Sequence, residues 1–294
     1  MLHWRLSLGT VLILALCGLF WFDLTAARPG AFLLPIAILV SLLASGEFIR
    51  LTTVGDLSPR PSIVRFGSLF IVIASGGPYL FANSQLECPL SYLGIAMLAF
   101  ITACFLATLA EIVFYKNEKD TIPRLGLTVL GLFYVGMLIG ILTLLRFVSD
   151  DSWKGLPLIS LILTVKMSDI GAYTVGRLIG KHRLAPHLSP GKTIEGVAGG
   201  LLFGLGGSYF SFRILPDWMQ IQAPHLDVWN IVLYGLLMGL TGVVGDLAES
   251  LIKRCSGHKD SSGWLPGFGG VLDLLDSLLL AGPASYIYWL WIGR

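Results

Sequence analysis

Acidic side chains cluster in the C-terminal half of the sequence, inside or beside strongly apolar segments. Asp246 and Glu249 lie within one such segment, and Asp273 and Asp276 open the next one. Each pair is spaced i,i+3, which places its two carboxylates on one face of a helix. The linker between the two segments is short, so the two acidic faces can converge.

Carboxylate oxygens arranged in this way suit a hard cation. Mg²⁺ characteristically takes one or two protein carboxylates and completes its octahedron with water and phosphate oxygens. An acidic residue at the centre of a membrane helix costs roughly 2.5 to 3.5 kcal/mol on insertion, so such a group needs a cation or a water-filled cavity. The platform formed by Asp246, Glu249, Asp273 and Asp276 is therefore predicted to suit a hard cation such as Mg²⁺.

Structural roles remain an alternative for the same carboxylates. Glu249 can pair with Lys253 at i,i+4 on its own helix. Asp246 and Asp273 can instead cap or hydrogen-bond neighbouring helices.

Two cation-rich loops flank the acidic segments. The 177–195 loop ends in Ser189-Pro-Gly-Lys-Thr-Ile-Glu195, where Thr193 can cap the next helix and Lys192 can bind a phosphate at its N-terminus. The 253–270 loop adds three cations before a glycine-rich run: Lys253, Arg254 and Lys259. Cations and glycines beside carboxylates are expected for metal-bound polyphosphate.

The elements that position these residues belong in a bilayer. Hydrophobic residues make up 55% of the 294 residues and charged residues only 13%, whereas a soluble domain carries about 25% charged residues. Apolar segments long enough to cross a ~30 Å hydrocarbon core recur along the chain, and they lack the alternation of barrel strands. The sequence thus predicts an all-α integral membrane protein with about nine spans, at 6–22, 31–49, 66–82, 91–115, 125–145, 156–176, 196–212, 228–252 and 271–292.

The distribution of positive charge predicts the orientation. If nine spans alternate, one side collects 14 of the 20 Lys and Arg residues, and the positive-inside rule makes that side cytoplasmic. The N-terminus is then cytoplasmic, the C-terminus is outside, and both cation-rich loops face the cytoplasm. This predicts a multi-pass protein of the cell inner (plasma) membrane, with residues 1–150 as scaffold and lipid access and residues 151–294 as the catalytic region.

Other features carry structural expectations. Gly196, Gly200 and Gly204 form overlapping GxxxG units, which favour close helix packing or a homodimer. Glu47 and Glu111 lie near span ends, where snorkelling or a loop position would explain them. The four scattered cysteines form no CxxC pair, so they predict no metal site. A net charge of +2 gives no reason to expect nucleic acid as a partner.

Four sequence blocks carry a resemblance to a known family. Residues 250–277, SLIKRCSGHKDSSGWLPGFGGVLDLLDS, resemble the signature of phosphatidate cytidylyltransferases, the CDP-diacylglycerol synthases. GDLAES at 245–250, SDIGAYTVGRLIGK at 168–181 and SPGKTIEG at 189–196 extend the match in the family's order. The family usually has His where Phe268 stands and Arg where Leu274 stands, which leaves an inactive or substrate-shifted relative as an alternative.

The resemblance implies the reaction CTP + phosphatidate → CDP-diacylglycerol + pyrophosphate, so CTP and the membrane lipid phosphatidate are the expected partners. It implies catalytic roles for Asp246, Asp273, Asp276, Lys253, Arg254 and Lys259. Among these, Asp246 and Asp273 are expected to bind Mg²⁺, Asp276 to be a further ligand or to lie directly behind the ligands, and a second cation is left open. The resemblance also implies substrate contacts for Ser189, Lys192, Thr193, Glu195, Asp169 and Asp260.

Two other function classes stay open at this point. Within the same chemistry, the chain is alternatively a CTP-dependent polyprenol or phytol kinase, or a cytidylyltransferase for another lipid phosphate. From a different class, a secondary transporter or channel would use the intramembrane acids and Lys166 as an ion path. Inverted repeats would support the transporter, and the sequence displays none.

Overall fold

The fold comes from a computed structural model of the 294-residue chain. It describes residues 14–15, 18–26, 28–81, 89–115, 119–148, 153, 155–221, 224–258, 260–263 and 269–292. The N-terminal helices are α1 Leu33–Thr52, α2 Pro61–Phe81, α3 Pro89–Val113, α4 Thr121–Gly131 and α5 Leu138–Leu144, with a π-helical turn Leu132–Met137 joining α4 to α5. The later elements are α6 Leu156–Ile179, β1 Arg183–Ala185, β2 Ser189–Thr193, α7 Ile194–Tyr209, a π-helical turn Phe210–Ile214, α8 Leu215–Met219, α9 Val228–Cys255 and α10 Val271–Ile292.

The chain divides into two compact units that interleave in sequence. The first unit is Met1–Phe147 with Cys255–Leu274, and the second is Val148–Arg254 with Leu275–Arg294. The 255–274 segment, which holds much of the signature, therefore belongs to the N-terminal unit. The predicted division of roles between residues 1–150 and 151–294 stays a prediction.

Seven helical stretches of the described residues are long and apolar enough to cross a membrane. They are Leu33–Thr52, Pro61–Leu80, Leu90–Val113, Thr121–Leu144, Leu156–Ile179, Val228–Cys255 and Val271–Ile292. The helical membrane class is thereby confirmed. The first predicted span, 6–22, lies largely outside the described residues, and the seventh corresponds to α7, which has only 16 residues. The count of nine and the orientation stay predictions.

Helix α3 shows how the first unit meets lipid. Its buried face consists of small residues: Ala96, Ala99, Ala103 and Ala107. Its exposed face carries large apolar side chains at helical spacing: Leu98, Ile101, Phe105, Leu109 and Ile112. Small residues inward and large apolar residues outward are the pattern of a helix solvated by acyl chains, since such a surface would be a liability in water.

Buried ion pairs hold the polar ends of helices in the first unit. Arg146 Nε lies 2.7 Å from Asp23 Oδ2, and the same carboxylate accepts from backbone N–H groups at the start of α1. Glu111 is 4% exposed and lies 2.6 Å from Arg60 Nε. Burial and pairing replace the expected snorkelling of Glu111, so that prediction is wrong.

Glycines let α6 and α7 of the second unit pack backbone to backbone. A Cβ built on Gly200 would lie 3.1 Å from the carbonyl oxygen of Ser168, and one on Gly196 would lie 2.9 Å from that of Ala172. Gly204 faces the carbonyl oxygen of Gly235 on α9. The predicted close packing is confirmed as contact within one chain, and the homodimer stays a prediction.

Aromatic side chains fill the core of the second unit beside these glycine contacts. Tyr234 and Trp289 are almost fully buried, and the Phe212 ring packs against both. The Tyr234 hydroxyl lies 3.0 Å from Ser160 Oγ and 3.0 Å from Ser285 Oγ, so its polar end is satisfied inside the core.

Candidate active site

A short hairpin presents the predicted phosphate-binding residues of the second unit. Strands β1 and β2 pair antiparallel, with Arg183 opposite Thr193 and Ala185 opposite Ser189. The sequence predicts only a loop over 177–195, so the two strands are a finding of the structure. Ser189, Lys192 and Thr193 all lie on β2, directly before α7. The hairpin thus holds these side chains at the N-terminus of a helix, where an anion is favoured.

Thr193 caps α7 as predicted. Its hydroxyl accepts a hydrogen bond from the backbone N–H of Gly196 at 3.1 Å, and its residue is 4% exposed. One N–H group of the first turn is therefore already satisfied by the protein.

Glu195 closes the base of the hairpin. Its carboxylate accepts from the backbone N–H groups of Lys181 and His182 and lies 2.6 Å from His182 Nδ1. The hydrogen bond from the His182 side chain, with those from the backbone, lowers the pKa of Glu195 to about 2. The nearest contacts of Glu195 are therefore structural, and its role toward substrate stays a prediction.

Replacing Glu195 with Gln is expected to loosen the hairpin at neutral pH. Because the pKa of the carboxyl is lowered, its contribution to stability is present above pH ~4.5 and is lost as the pH falls toward ~2. At pH 7 the wild type holds the full contribution, so hydrogen exchange at the Lys181 and His182 amides should be faster in the variant. Equal exchange in both proteins would contradict the assignment.

Lys192 and Asp246 form the central ion pair of the second unit. Lys192 Nζ lies 2.6 Å from Asp246 Oδ2, with the two side chains 20% and 37% exposed. The structure thus brings a predicted phosphate ligand of the hairpin to a predicted metal ligand of α9. Lys192 Nζ is itself buried against the carboxylate, so a solute reaches the pair from the partly exposed Asp246 side chain.

A second polar group links Lys166 and Asp169 of α6 to Ser277 of α10, and of its three members only Asp169 was predicted as a site residue. Lys166 Nζ donates to Asp169 Oδ2 at 3.0 Å and to Ser277 Oγ at 3.0 Å. Ser277 Oγ in turn lies 3.0 Å from Asp169 Oδ2. The signal for Lys166 was a cation inside an apolar span, three residues before an acid.

Replacing Lys166 with Met is expected to destabilise the protein by about 1–2 kcal/mol, because Asp169 would keep its charge in the span without its cation. This is below the 3–5 kcal/mol of a fully buried pair, since the two side chains are 39% and 40% exposed. Thermal unfolding in detergent measures the loss. Adding Asp169→Asn should restore stability, and an unchanged melting temperature in the single variant would contradict the pairing.

Helix α9 and the second part of α10 approach closely beside these pairs. A Cβ built on Gly245 would lie only 2.5 Å from the carbonyl oxygen of Asp276, so no side chain fits there. The Asp276 carboxylate interacts electrostatically with Asp246, Lys166 and Asp169. Acids and lysines of α6, β2, α9 and α10 therefore share one partly exposed cluster, which we call the charge cluster: Lys166, Asp169, Lys192, Asp246 and Asp276.

Glu249, the other acidic residue of α9, forms the i,i+4 ion pair with Lys253 that was stated as its structural alternative. Glu249 is 1% exposed and its Oε2 lies 2.5 Å from Lys253 Nζ. Lys253, a predicted phosphate ligand, is thus engaged with Glu249. Arg254 is exposed, and its Nε donates to the carbonyl oxygen of Leu188 at 3.3 Å.

Asp273 lies in the first turn of α10 and belongs to the first unit. Its Oδ2 accepts from the backbone N–H of Ser261 at 2.8 Å, from that of Gly270 at 2.7 Å and from the Ser261 hydroxyl at 2.5 Å. The carboxylate is therefore held in a fixed orientation by backbone donors.

Other predicted residues are less constrained or lie outside the described part of the chain. Asp260 is exposed and Leu274 is half-buried. Lys259 and Phe268 lie outside the described residues, so their predicted roles stay predictions.

The donor set of the second unit fits a magnesium ion bound through few protein ligands. Within the part of the chain that the structure describes, no group of three or more His, Cys, Asp and Glu side chains forms a ready metal cage. Mg²⁺ needs only one or two carboxylates when water and substrate phosphates supply its other ligands. Asp246 and Asp276 offer oxygen donors of this type in the charge cluster.

Comparison with known proteins gives a consistent picture. The model of the cytidylyltransferase family matches residues 5–292. The chain is 33% identical over 296 residues to a phosphatidate cytidylyltransferase of Haemophilus influenzae, covering 98% of this chain and 99% of the relative. It is 31% identical to one of Staphylococcus epidermidis, covering 87% and 89%, and 37% identical to one of Brucella suis over 54% and 55%.

Proposed function

Since the chain belongs to the cytidylyltransferase family, we propose that it converts CTP and phosphatidate to CDP-diacylglycerol and pyrophosphate. Relatives that match almost its full length carry the name phosphatidate cytidylyltransferase. It is a multi-pass membrane nucleotidyltransferase of phospholipid biosynthesis.

The observation that carries the proposal is the ion pair between Lys192 and Asp246, at 2.6 Å and partly exposed. It sits where a hairpin leads into a helix N-terminus, a position that favours phosphate. In this proposal Lys192 binds phosphate and Asp246 binds a cation when the substrate is present. Without the substrate the two side chains neutralise each other. An ion path would use charged residues of the membrane spans, whereas Lys192 lies on β2 of the hairpin. The pair therefore supports nucleotide chemistry better than an ion path.

The reaction needs positioning and charge neutralisation more than covalent help. An oxygen of the lipid phosphate monoester attacks the α-phosphorus of CTP in line, the new P–O bond forms, and pyrophosphate leaves with the electron pair of the broken bond. Lysine and arginine side chains take up the charge of the triphosphate: Lys192, Lys253, Arg254 and Lys259. Ser189 and Thr193 support them as hydroxyl donors, while Asp169, Glu195 and Asp260 orient these cations or the cytidine.

Asp246, Asp273 and Asp276 would hold Mg²⁺, whose chemistry is to neutralise the triphosphate and stabilise the leaving pyrophosphate. The proposal leaves open whether the site also binds a second cation. The carboxylates alone would repel the triphosphate, so the lysine and arginine side chains of the site must offset their charge.

The lipid substrate enters from the bilayer and CTP enters from the cytoplasm. An open groove of about 280 Å³ in the first unit combines apolar and charged walls, with Leu43 and Gly46 beside Glu47, Arg50 and Ser262. Such a surface suits an amphipathic ligand. The charge distribution supports cytoplasmic placement of the 177–195 and 253–270 loops in the inner membrane, and the GxxxG faces leave room for a homodimer.

Two labels on CTP separate this function from its nearest alternative. The purified protein in detergent receives Mg²⁺ and either phosphatidate or polyprenol, with CTP labelled at the α- or the γ-phosphorus. A cytidylyltransferase moves the α-label into chloroform-soluble product with phosphatidate only, whereas a CTP-dependent kinase moves the γ-label with polyprenol. Transfer of the γ-label, or of neither label, would overturn the proposal.

A further inference from the structure

We infer that Glu47 of α1 is a positioning residue that fixes the orientation of Asp273. The inference rests on the proposed function, because it concerns a carboxylate to which that function gives a role. It adds a residue from the N-terminal half, which lies outside all four sequence blocks of the resemblance.

Glu47 binds the start of a helix that follows it by more than 220 residues. Its Oε1 accepts from the backbone N–H of Val271 at 3.0 Å, and its Oε2 accepts from that of Leu272 at 2.9 Å. The residue is 7% exposed. The two N–H groups belong to the first turn of α10, which has no partner for them within the helix. A carboxylate there also interacts favourably with the helix dipole.

A shared serine joins Glu47 to Asp273. The hydroxyl of Ser261 lies 3.0 Å from Glu47 Oε2 and 2.5 Å from Asp273 Oδ2. One hydroxyl has one proton, so it donates to one carboxylate at a time while touching both. Arg50, one turn after Glu47, donates to the Ser261 carbonyl oxygen and holds the same residue from the other side.

The surroundings of Gly270 show that the side chains of Glu47, Ser261 and Asp273 are tightly packed. A Cβ built on it would lie 2.2 Å from Ser261 Oγ and 2.3 Å from Glu47 Oε1. Only glycine leaves this space, and its N–H donates to Asp273 Oδ2 at 2.7 Å. Glu47 therefore sets the position of the helix turn, the serine and the glycine that together orient the Asp273 carboxylate.

The expected snorkelling of Glu47 is wrong for a physical reason. A carboxylate that only reached for water would be exposed, whereas Glu47 is buried and accepts from one hydroxyl and two backbone N–H groups. Glu111 offers a matched comparison, since it is also buried in the same unit but pairs with Arg60, directly before α2. Its role is structural and does not involve the 255–274 segment.

The test compares Glu47→Gln with Glu111→Gln in the full-length protein in detergent. The Gln variant at 47 keeps one acceptor oxygen but turns an NH₂ group toward donors. We expect kcat per folded molecule to fall about ten-fold or more, with KM for CTP within about three-fold of wild type, because misplacing a reactive group by 1 Å can cost about 100-fold. Hydrogen exchange at Val271 and Leu272 should be about ten-fold faster. Glu111→Gln should lower the melting temperature and leave kcat unchanged.

A double-mutant cycle separates positioning from stability. In an Asp273→Asn background, Glu47→Gln should cause little further loss of kcat, because it acts through the carboxylate that is already altered. Ser261→Ala serves as the second variant should Glu47→Gln fail to fold, and it should lower kcat in the same direction. Wild-type kcat in folded Glu47→Gln, or additive losses in the cycle, would overturn the inference. Failure of the wild type to use CTP would instead overturn the proposed function, while faster exchange at Val271 would still report the contact.

Discussion

Replacing Asp246 with Asn is expected to lower turnover by about 100-fold or more while the protein still folds and inserts. Asn keeps the size and polarity of Asp but removes the charge that a metal-bound triphosphate requires, and removal of one electrostatic group from an active site typically costs this much. Lys192 Nζ is buried against this side chain, and the carbonyl oxygen of Asn can still accept a hydrogen bond from it, so the variant is expected to fold. Turnover at saturating Mg²⁺ and CTP measures the effect.

Glu249→Gln is the matched control for this prediction, because Glu249 lies on the same helix one turn later. Its partner Lys253 is 13% exposed, so the variant is expected to lose thermal stability more than turnover per folded molecule. Wild-type turnover in Asp246→Asn would remove the charge cluster from the mechanism. Unfolding of both variants would favour a purely structural role for these acids.

Seven of the nine predicted spans coincide with long apolar helices of the described residues, because such spans are local properties of the sequence. A run of about 20 apolar residues can satisfy its backbone in hydrocarbon only as a helix, whatever surrounds it. The cap at Thr193 was predictable for the same reason, since a cap needs only a hydroxyl before the first turn. The spacing of Gly196 and Gly200 predicted close packing of their helix, but it did not identify α6 as the partner.

The hairpin was not predictable from propensity. Strand β2 is Ser-Pro-Gly-Lys-Thr, which contains two residues that are depleted in strands. It forms because contacts at its ends hold it: Glu195 binds the backbone of Lys181 and His182, and Arg183 donates to the carbonyl oxygen of Pro190. Such contacts are made by particular side chains and leave no periodic signal.

Residues of the site were found when their partners were near in sequence. The pairing of Glu249 with Lys253 was one of the stated alternatives because it is an i,i+4 pair. Glu47 was missed because its acceptors meet N–H groups more than 220 residues away. The insertion cost that drew attention to Asp246 applies at the centre of a span, so Glu47, near the end of the 31–49 span, was assigned to snorkelling or a loop position instead.

Replacing Lys192 with Met is expected to lower kcat/KM for CTP by about 10- to 100-fold. A hydrogen bond between a charged donor and a phosphate contributes about 1.5–3 kcal/mol, which corresponds to this range. Lys192 is held by β2 at the start of α7, so its reach to phosphate is fixed by the hairpin. Steady-state kinetics over a CTP series measures the change, and Lys192→Arg should retain part of the activity because it keeps the charge.

Lys181→Met is the control for Lys192→Met, because Lys181 precedes β1 at the same open end of the hairpin and is exposed. It removes the same charge from the same loop, so any effect of net charge on CTP encounter appears in both variants. Only the loss at 192 should exceed it, since that side chain alone of the two contacts Asp246. Equal losses in the two variants would mean that the loop attracts CTP through its overall charge and that Lys192 makes no direct contact with phosphate.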